Sequence, residues 1–377
     1  MIFQHPMLWC AAFLMTGIAI GLHFPLPYYL PLLAASMTAC TLLRKGRHWH
    51  DALTLLVWLL LGCSRAALSP ICDSESPWQS TVRHEAKAAQ TALVSRLRQA
   101  GLTPGTLALC SALTVGEKSD LEYNTRRAYR NVGVSHLLAL SGMHLGIIYA
   151  LLYFLFIRGI CHTRWRWFSL PLVLLSLWGY ALVAGMPVSL VRAAIMLSVF
   201  TVISLMQYDT DPLHPLALSA IIILLADPAD LLSISFQLSF AAVFFILALW
   251  TPLRDRFPQL PWAVRLLLVS CVAQIGTMPL TLYYFHQLPL LAPLLSLLLI
   301  PLTTLIIYLS LATMALPIAL FGGALNFLVS LQQRIIDLAG SIPGTILTDI
   351  HPGLAAVALI YGAMLLATLR LRTSETI

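Results

Sequence analysis

Apolar runs long enough to cross a bilayer follow one another from about Met7 to Leu369, and they constrain the fold before any single residue is considered. A hydrocarbon core about 30 Å thick needs about 20 apolar helical residues, and runs of roughly 17 to 25 recur along this chain. Hydrophobic residues make up 59% of the 377 and charged residues 10%, against about 25% charged in ordinary soluble domains. Tryptophans and tyrosines gather near the edges of the runs, as interfacial anchors do. A backbone in lipid must satisfy its own polar groups, so these runs predict helices. The expected fold is an all-α, polytopic transmembrane helical bundle of about 11 or 12 spans, accompanied by amphipathic interfacial helices.

Basic clusters set the expected orientation. Arg44, Lys45 and Arg47, then Arg158, Arg164 and Arg166, then Arg254 and Arg256 mark cytoplasmic loops by the positive-inside rule, and much of the net charge of +7 has this origin. The run at 7–23 reads as a retained span because no Lys or Arg precedes it and a second run, at 26–43, follows after Pro25 and Pro27. Three segments result: three spans over 1–68, an extracytoplasmic helical segment over 69–135, and a channel core over 136–377. Within the second, Val82, Ala86, Ala89, Leu93 and Leu97 recur at helical spacing among Arg83, Lys87, Arg96 and Arg98, predicting an amphipathic interfacial helix. Thr103-Pro104 starts another, with threonine as cap. The run at 288–316 contains Pro293 and Pro301 and reads equally as one kinked span or two short ones. Of the seven cysteines only Cys72 and Cys110 read as extramembranous, and a disulfide between them is an open expectation.

Polar side chains inside membrane-grade runs are the candidate functional residues, since one left unpaired in hydrocarbon costs several kcal/mol. The stretch 131–152, NVGVSHLLALSGMHLGIIYALL, carries His136, Ser141 and His144. Ser141-Gly142 also fits a close helix-packing contact, and Ser141 with either histidine fits a membrane-embedded hydrolase that would still need an orienting carboxylate. Two histidines do not make a zinc site, and no HExxH or Cys/His cluster supplies further ligands, so neither metal nor cofactor is expected. Arg192, early in a span with Ser189 just before it, either snorkels to the interface or lines a watery path and meets an anion; the latter also fits a small-anion transporter. Asp227 before Pro228 reads as a helix cap, with Arg192 as an alternative partner. Gln237 and Gln274 serve equally as interhelical glue or as pore lining. Arg126, Arg127 and Arg130 beside Tyr123 and Tyr129 form a basic, aromatic helix suited to an entrance. Gly116-Glu117-Lys118-Ser119 lacks the upstream glycine and strand of a phosphate-binding loop, and no ATPase signature is visible.

Four stretches resemble the ComEC family of competence proteins: HLLALSGMH at 136–144, MPVSLVRAAIM at 186–196, Asp227-Pro228 with FQLSF at 236–240, and QIGTMPL at 274–280. The resemblance covers about 101–301, the membrane competence domain of that family. Ser296 stands before Pro301 where many members carry asparagine. Full-length relatives often add a periplasmic oligonucleotide-binding barrel and a metallo-β-lactamase-like domain, and this chain is expected to lack both and therefore the latter's nuclease. The resemblance implies a multi-pass protein of the bacterial inner membrane, a non-enzymatic channel that carries single-stranded DNA inward through a path lined by His136, Ser141, His144, Ser189, Arg192, Gln237 and Gln274. Its implied partners are an extracytoplasmic DNA receptor, a separate cytoplasmic helicase or ATPase, a separate nuclease and membrane lipids.

Overall fold

The computed structural model describes residues 6–24, 29–42, 47–68, 77–159, 166–206 and 211–373. Arg44, Lys45, Arg164 and Cys72 lie outside them. In chain order the helices are α1 (Pro6–His23), α2 (Tyr29–Leu42), α3 (Arg47–Ala67), α4 (Pro77–Gln99), α5 (Pro104–Thr114), α6 (Tyr123–Asn131), α7 (Gly142–Tyr153), α8 (Arg166–Val183), α9 (Val188–Leu205), α10 (Leu213–Ala226), α11 (Ile234–Phe245), α12 (Thr251–Arg256), α13 (Trp262–Phe285), α14 (Ala292–Ala315), α15 (Ala319–Gly340) and α16 (Leu354–Thr373). One short antiparallel ribbon joins β1 (Gln287–Pro289) to β2 (Ile346–Thr348), with Leu288 opposite Leu347. The protein is a helical membrane bundle. Among the described residues α1, α13 and α14 are long and apolar enough to cross a bilayer, and seven shorter apolar helices accompany them. The run at 288–316 resolves into a single span, because α14 continues unbroken through Pro301.

Internal contacts divide the chain into two compact units, one of residues 1–74 and 198–247, the other of 75–197 and 248–377. In the first, α3 packs on α1 and α2, and α1 on α10. Gly17 and Gly21 of α1 and Gly62 of α3 bring the two backbones together: a Cβ on Gly21 would stand 2.6 Å from the Cys63 carbonyl oxygen, and one on Gly62 would overlap that of Leu14. Arg65 of α3 closes the C-terminus of α10, donating from Nε to the Leu225 carbonyl at 2.8 Å and from Nη2 to that of Ala226 at 2.7 Å. Asp227 caps the 3-10 turn after it by accepting the Ala229 N–H at 3.0 Å, with Pro228 in the first position, as its sequence context predicts.

In the second unit α14 carries the core. Leu299, Ile306 and Ile307 are fully buried, and α4, α5, α13 and α15 pack around it. Thr103 caps α5, accepting the Thr106 N–H, with Pro104 at the first helical position. Cys110 is a free thiol buried in this apolar core. The amphipathic reading of α4 holds for its face: Ala86 and Leu97 are buried while Lys87, Arg96 and Arg98 are exposed. That apolar stripe packs on protein, against α5, α8 and α14. Gln90 then donates to the free carbonyls of Val115 at 3.0 Å and Val183 at 3.1 Å, and Arg96 to that of Met314 at 3.1 Å. One helix thus satisfies the C-terminal ends of three others, carbonyls that would otherwise need water.

Candidate functional site

Chain chemistry first fixes the turn that presents Arg192. At the end of α8 the Gly185 N–H bonds the Leu182 carbonyl and the Met186 N–H bonds that of Ala181, each at 2.9 Å, with Gly185 at φ 80. This is a Schellman closure, and it needs a residue tolerant of positive φ. Met186 follows at φ 49, and the Pro187 carbonyl accepts the first helical N–H groups of α9, from Leu190 and Val191.

The first turn of α9 lies against the start of α7. Ser189 Oγ donates to the Leu140 carbonyl at 2.8 Å. A Cβ on Gly142 would lie 3.3 Å from that of Ala193, so the two helix N-termini are side by side. Between these contacts in sequence stands Arg192, 2% exposed. Leu140, Leu145, Leu177, Leu190 and Ala194 form an apolar cluster where α7, α8 and α9 meet. Helical spacing puts Arg192 on the same face of α9 as Ser189 and Ala193, and helix N-termini carry partial positive charge and unpaired N–H groups, so an arginine on this face favours an anion over a cation.

Ser141 is the N-cap residue of α7, with extended backbone at φ −130 and ψ 174, yet its side chain makes no capping bond. Its Oγ instead meets Nδ1 of His144 at 3.1 Å. His144 is fully buried, and its Nε2 has no hydrogen-bond partner among the described residues. The position from which a carboxylate orients the imidazole in a hydrolytic triad is therefore unfilled by any described residue. His136, on a 3-10 turn of Ser135–Leu137, is exposed.

The remaining candidates separate. Gln274 on α13 donates to the Pro289 carbonyl at 2.6 Å, and Pro289 blocks the space a Cβ on Gly133 would need. Gln274 thereby ties α13 to β1, whose Pro289 abuts the loop that leads into His136. Gln237 belongs to the first unit, where its amide donates to the Leu231 carbonyl at 3.0 Å. Arg126, Arg127 and Arg130 are exposed on α6 while Tyr129 is buried, and Arg126 also donates to the Lys118 carbonyl. At Gly116-Glu117-Lys118-Ser119 the Ser119 N–H bonds Glu117 Oε1 at 3.0 Å. That bond holds the Glu117 carboxyl below its ordinary range, and it occupies an N–H that a phosphate-binding loop would aim at its ligand. Sequence reasoning missed the α1–α3 glycine contact, although Gly17 and Gly21 spell the small-xxx-small spacing that signals close helix packing.

The family model for competence proteins matches residues 113–374, which contain every candidate site residue. The chain belongs to the competence protein family. It is 36% identical over 205 residues to "ComE operon protein 3" of Bacillus subtilis, covering 54% of this chain and 25% of that one. It is 28% identical over 252 residues to "Recombination protein 2" of Haemophilus influenzae, covering 63% of this chain and 31% of the relative. A third relative, "Uncharacterized protein YcaI" of Escherichia coli, is 29% identical over 211 residues, 53% of this chain and 28% of its own length. The chain thus spans about a quarter to a third of the length of the curated relatives it matches. No solved structure matches it.

Proposed function

We propose that this competence-family chain lies in the bacterial inner membrane as a multi-pass channel and passes single-stranded DNA into the cytoplasm. Arg192 contacts the phosphate backbone. The observation that carries the reading is a buried arginine, Arg192, on the face of α9 that Ser189 and Ala193 turn toward the start of α7. A path for arbitrary sequence needs contacts with phosphate, which is present at every nucleotide, and not with base edges. Because Arg192 is buried, DNA reaches it when the first turn of α9 separates from the 138–141 loop. His136, Ser141, His144, Ser189 and Gln274 supply polar lining along the path, and Arg126, Arg127 and Arg130 its entrance. An extracytoplasmic receptor delivers the DNA, a separate helicase or ATPase supplies energy, and any strand degradation belongs to a separate nuclease. The test is uptake of labelled DNA by a strain deleted for this gene, scored for internalised and surface-bound DNA separately. Loss of internalisation with normal surface binding is expected; normal internalisation overturns the reading.

The orientation that goes with this reading places the loop of Asp120 outside and that of Gln259 inside. In a cysteine-free background, an impermeant thiol reagent applied to intact cells should label Asp120→Cys and leave Gln259→Cys unlabelled. The reverse pattern inverts the channel. A second reading, a membrane-embedded hydrolase, draws on the 3.1 Å approach of Ser141 Oγ to His144 Nδ1. A fluorophosphonate probe tests it: covalent labelling that disappears in Ser141→Ala would establish an activated serine, and an unlabelled protein would remove it.

A further inference from the structure

A cavity of about 300 Å³ opens beneath α4 where three helices end. Leu93 of α4, Val115, Val183, Leu311 and Ala315 line it, with Arg96 at the same wall. A water occupies about 30 Å³ of liquid, so the space is that of roughly ten waters or a similar number of methylenes. Its lining offers water few partners. The nearby carbonyls of Val115, Val183 and Met314 already accept from Gln90 and Arg96, and that of Thr114 accepts from Tyr180 Oη at 2.6 Å. Apolar, uncapped by further polar groups and set in a membrane protein, such a space suits a hydrocarbon chain.

Position and charge identify the lipid. At about 1.5 Å per residue the 24-residue α14 slightly exceeds a hydrocarbon core of about 30 Å, so its Ala315 end lies at headgroup depth. α4 brings Arg96 to that level through its bond to the Met314 carbonyl, with Arg98 two residues on, both exposed. A guanidinium has five N–H donors in a planar fork, and the bond from Nη1 of Arg96 to Met314 leaves most of them for a phosphate. We propose that the α4 cavity binds an anionic phospholipid, one acyl chain lying against Leu93, Val115 and Leu311 and the phosphate on Arg96. The lipid occupies the space between α4 and the ends of α5, α8 and α14, and so completes the packing that Gln90 and Arg96 begin. The inference does not depend on the DNA reading, since its readout is lipid.

The full chain, purified in detergent and stripped of lipid, is given phosphatidylglycerol or phosphatidylethanolamine of identical acyl chains. Lipid retained per protein is read by native mass spectrometry, and the thermal unfolding midpoint is read alongside. Both lipids offer Arg96 the same phosphate, but phosphatidylethanolamine adds an ammonium that the guanidinium repels, so the anionic lipid should be retained about tenfold more tightly and should raise the midpoint. Ala315→Phe, which fills the cavity and keeps Arg96, should abolish retention; Arg96→Gln should erase the preference between the two lipids. Leu311→Phe fills the cavity one turn earlier on the same face of α14 and replaces Ala315→Phe if that variant has no unfolding transition without lipid. Equal retention of both lipids by the unmodified chain overturns the proposal. So does undiminished phosphatidylglycerol on a folded cavity-filled variant, or an equal rise in midpoint with glycerol 3-phosphate alone.

Discussion

Arg192→Ala should lower DNA internalisation by about ten- to a hundredfold for every sequence tested, with the protein still present in the membrane. A hydrogen bond to a charged group contributes about 1.5–3 kcal/mol, and each 1.4 kcal/mol or so is a factor of ten. The loss should be uniform across sequences because phosphate carries no base identity. Arg192→Lys should restore part of the function, since an ammonium keeps the charge but loses the planar fork. Ser189→Ala removes only the bond from its Oγ to the Leu140 carbonyl, the contact that holds the first turn of α9 against the 138–141 loop. It should therefore change internalisation far less than Arg192→Ala does, separating the closing contact from the charge proposed to meet phosphate. Internalisation and membrane abundance are measured together. A well-expressed Arg192→Ala protein with normal uptake removes the phosphate role, and a fall in abundance that accounts for the whole defect assigns Arg192 to structure. A small-anion carrier built on the same guanidinium would show flux that falls off steeply with substrate length.

What the sequence made legible was chemistry confined to a few consecutive residues. Thr103-Pro104 and Asp227-Pro228 are caps whose donors and acceptors lie within three residues, and the turn at Gly185 follows from the need for positive φ. The limits were set by partners distant in sequence. Whether Pro301 breaks a helix depends on what packs around it, and α14 runs through it with α5 and α15 packed alongside. The apolar stripe of α4 was visible, but a stripe does not say whether lipid or protein covers it. Among the candidate residues, Ser189 and Ser141 meet through Leu140, while Gln274 serves a ribbon that no period-two pattern announced. His136 and His144 looked alike in the run and differ in the fold, one exposed and one buried, because a 3-10 turn and an extended Ser141 intervene and reset the helical register. The partition by contacts also interleaves segments that lie far apart in the chain, a property of packing that no local composition shift records.

The second large effect concerns folding. In Gly17→Val the new Cβ would fall on the backbone of Leu59, and neither a rotamer change nor the yielding of a flexible neighbour relieves overlap with a carbonyl. Overpacking a core costs about 1–3 kcal/mol, occasionally more, and a backbone obstacle belongs at the upper end because α1 and α3 must separate along their length. Separation also exposes the faces beside Gly21 and Gly62, which have the same close approach. In a membrane, where lipid is as apolar as the side chains, close backbone packing is a main source of helix association, so its loss is not recovered by burial elsewhere. Gly179→Ala is the control: no atom lies within 4 Å of its Cβ position, and alanine is favoured over glycine in a helix by about 0.5–1 kcal/mol. Gly17→Val should therefore be strongly depleted from membranes and unfold at a lower temperature, with Gly179→Ala at or above the parent level. Its uptake should fall only in proportion to the protein remaining, the opposite of the pattern expected for Arg192→Ala. A Gly17→Val protein of normal abundance and midpoint would mean that α1 and α3 do not touch through this glycine face.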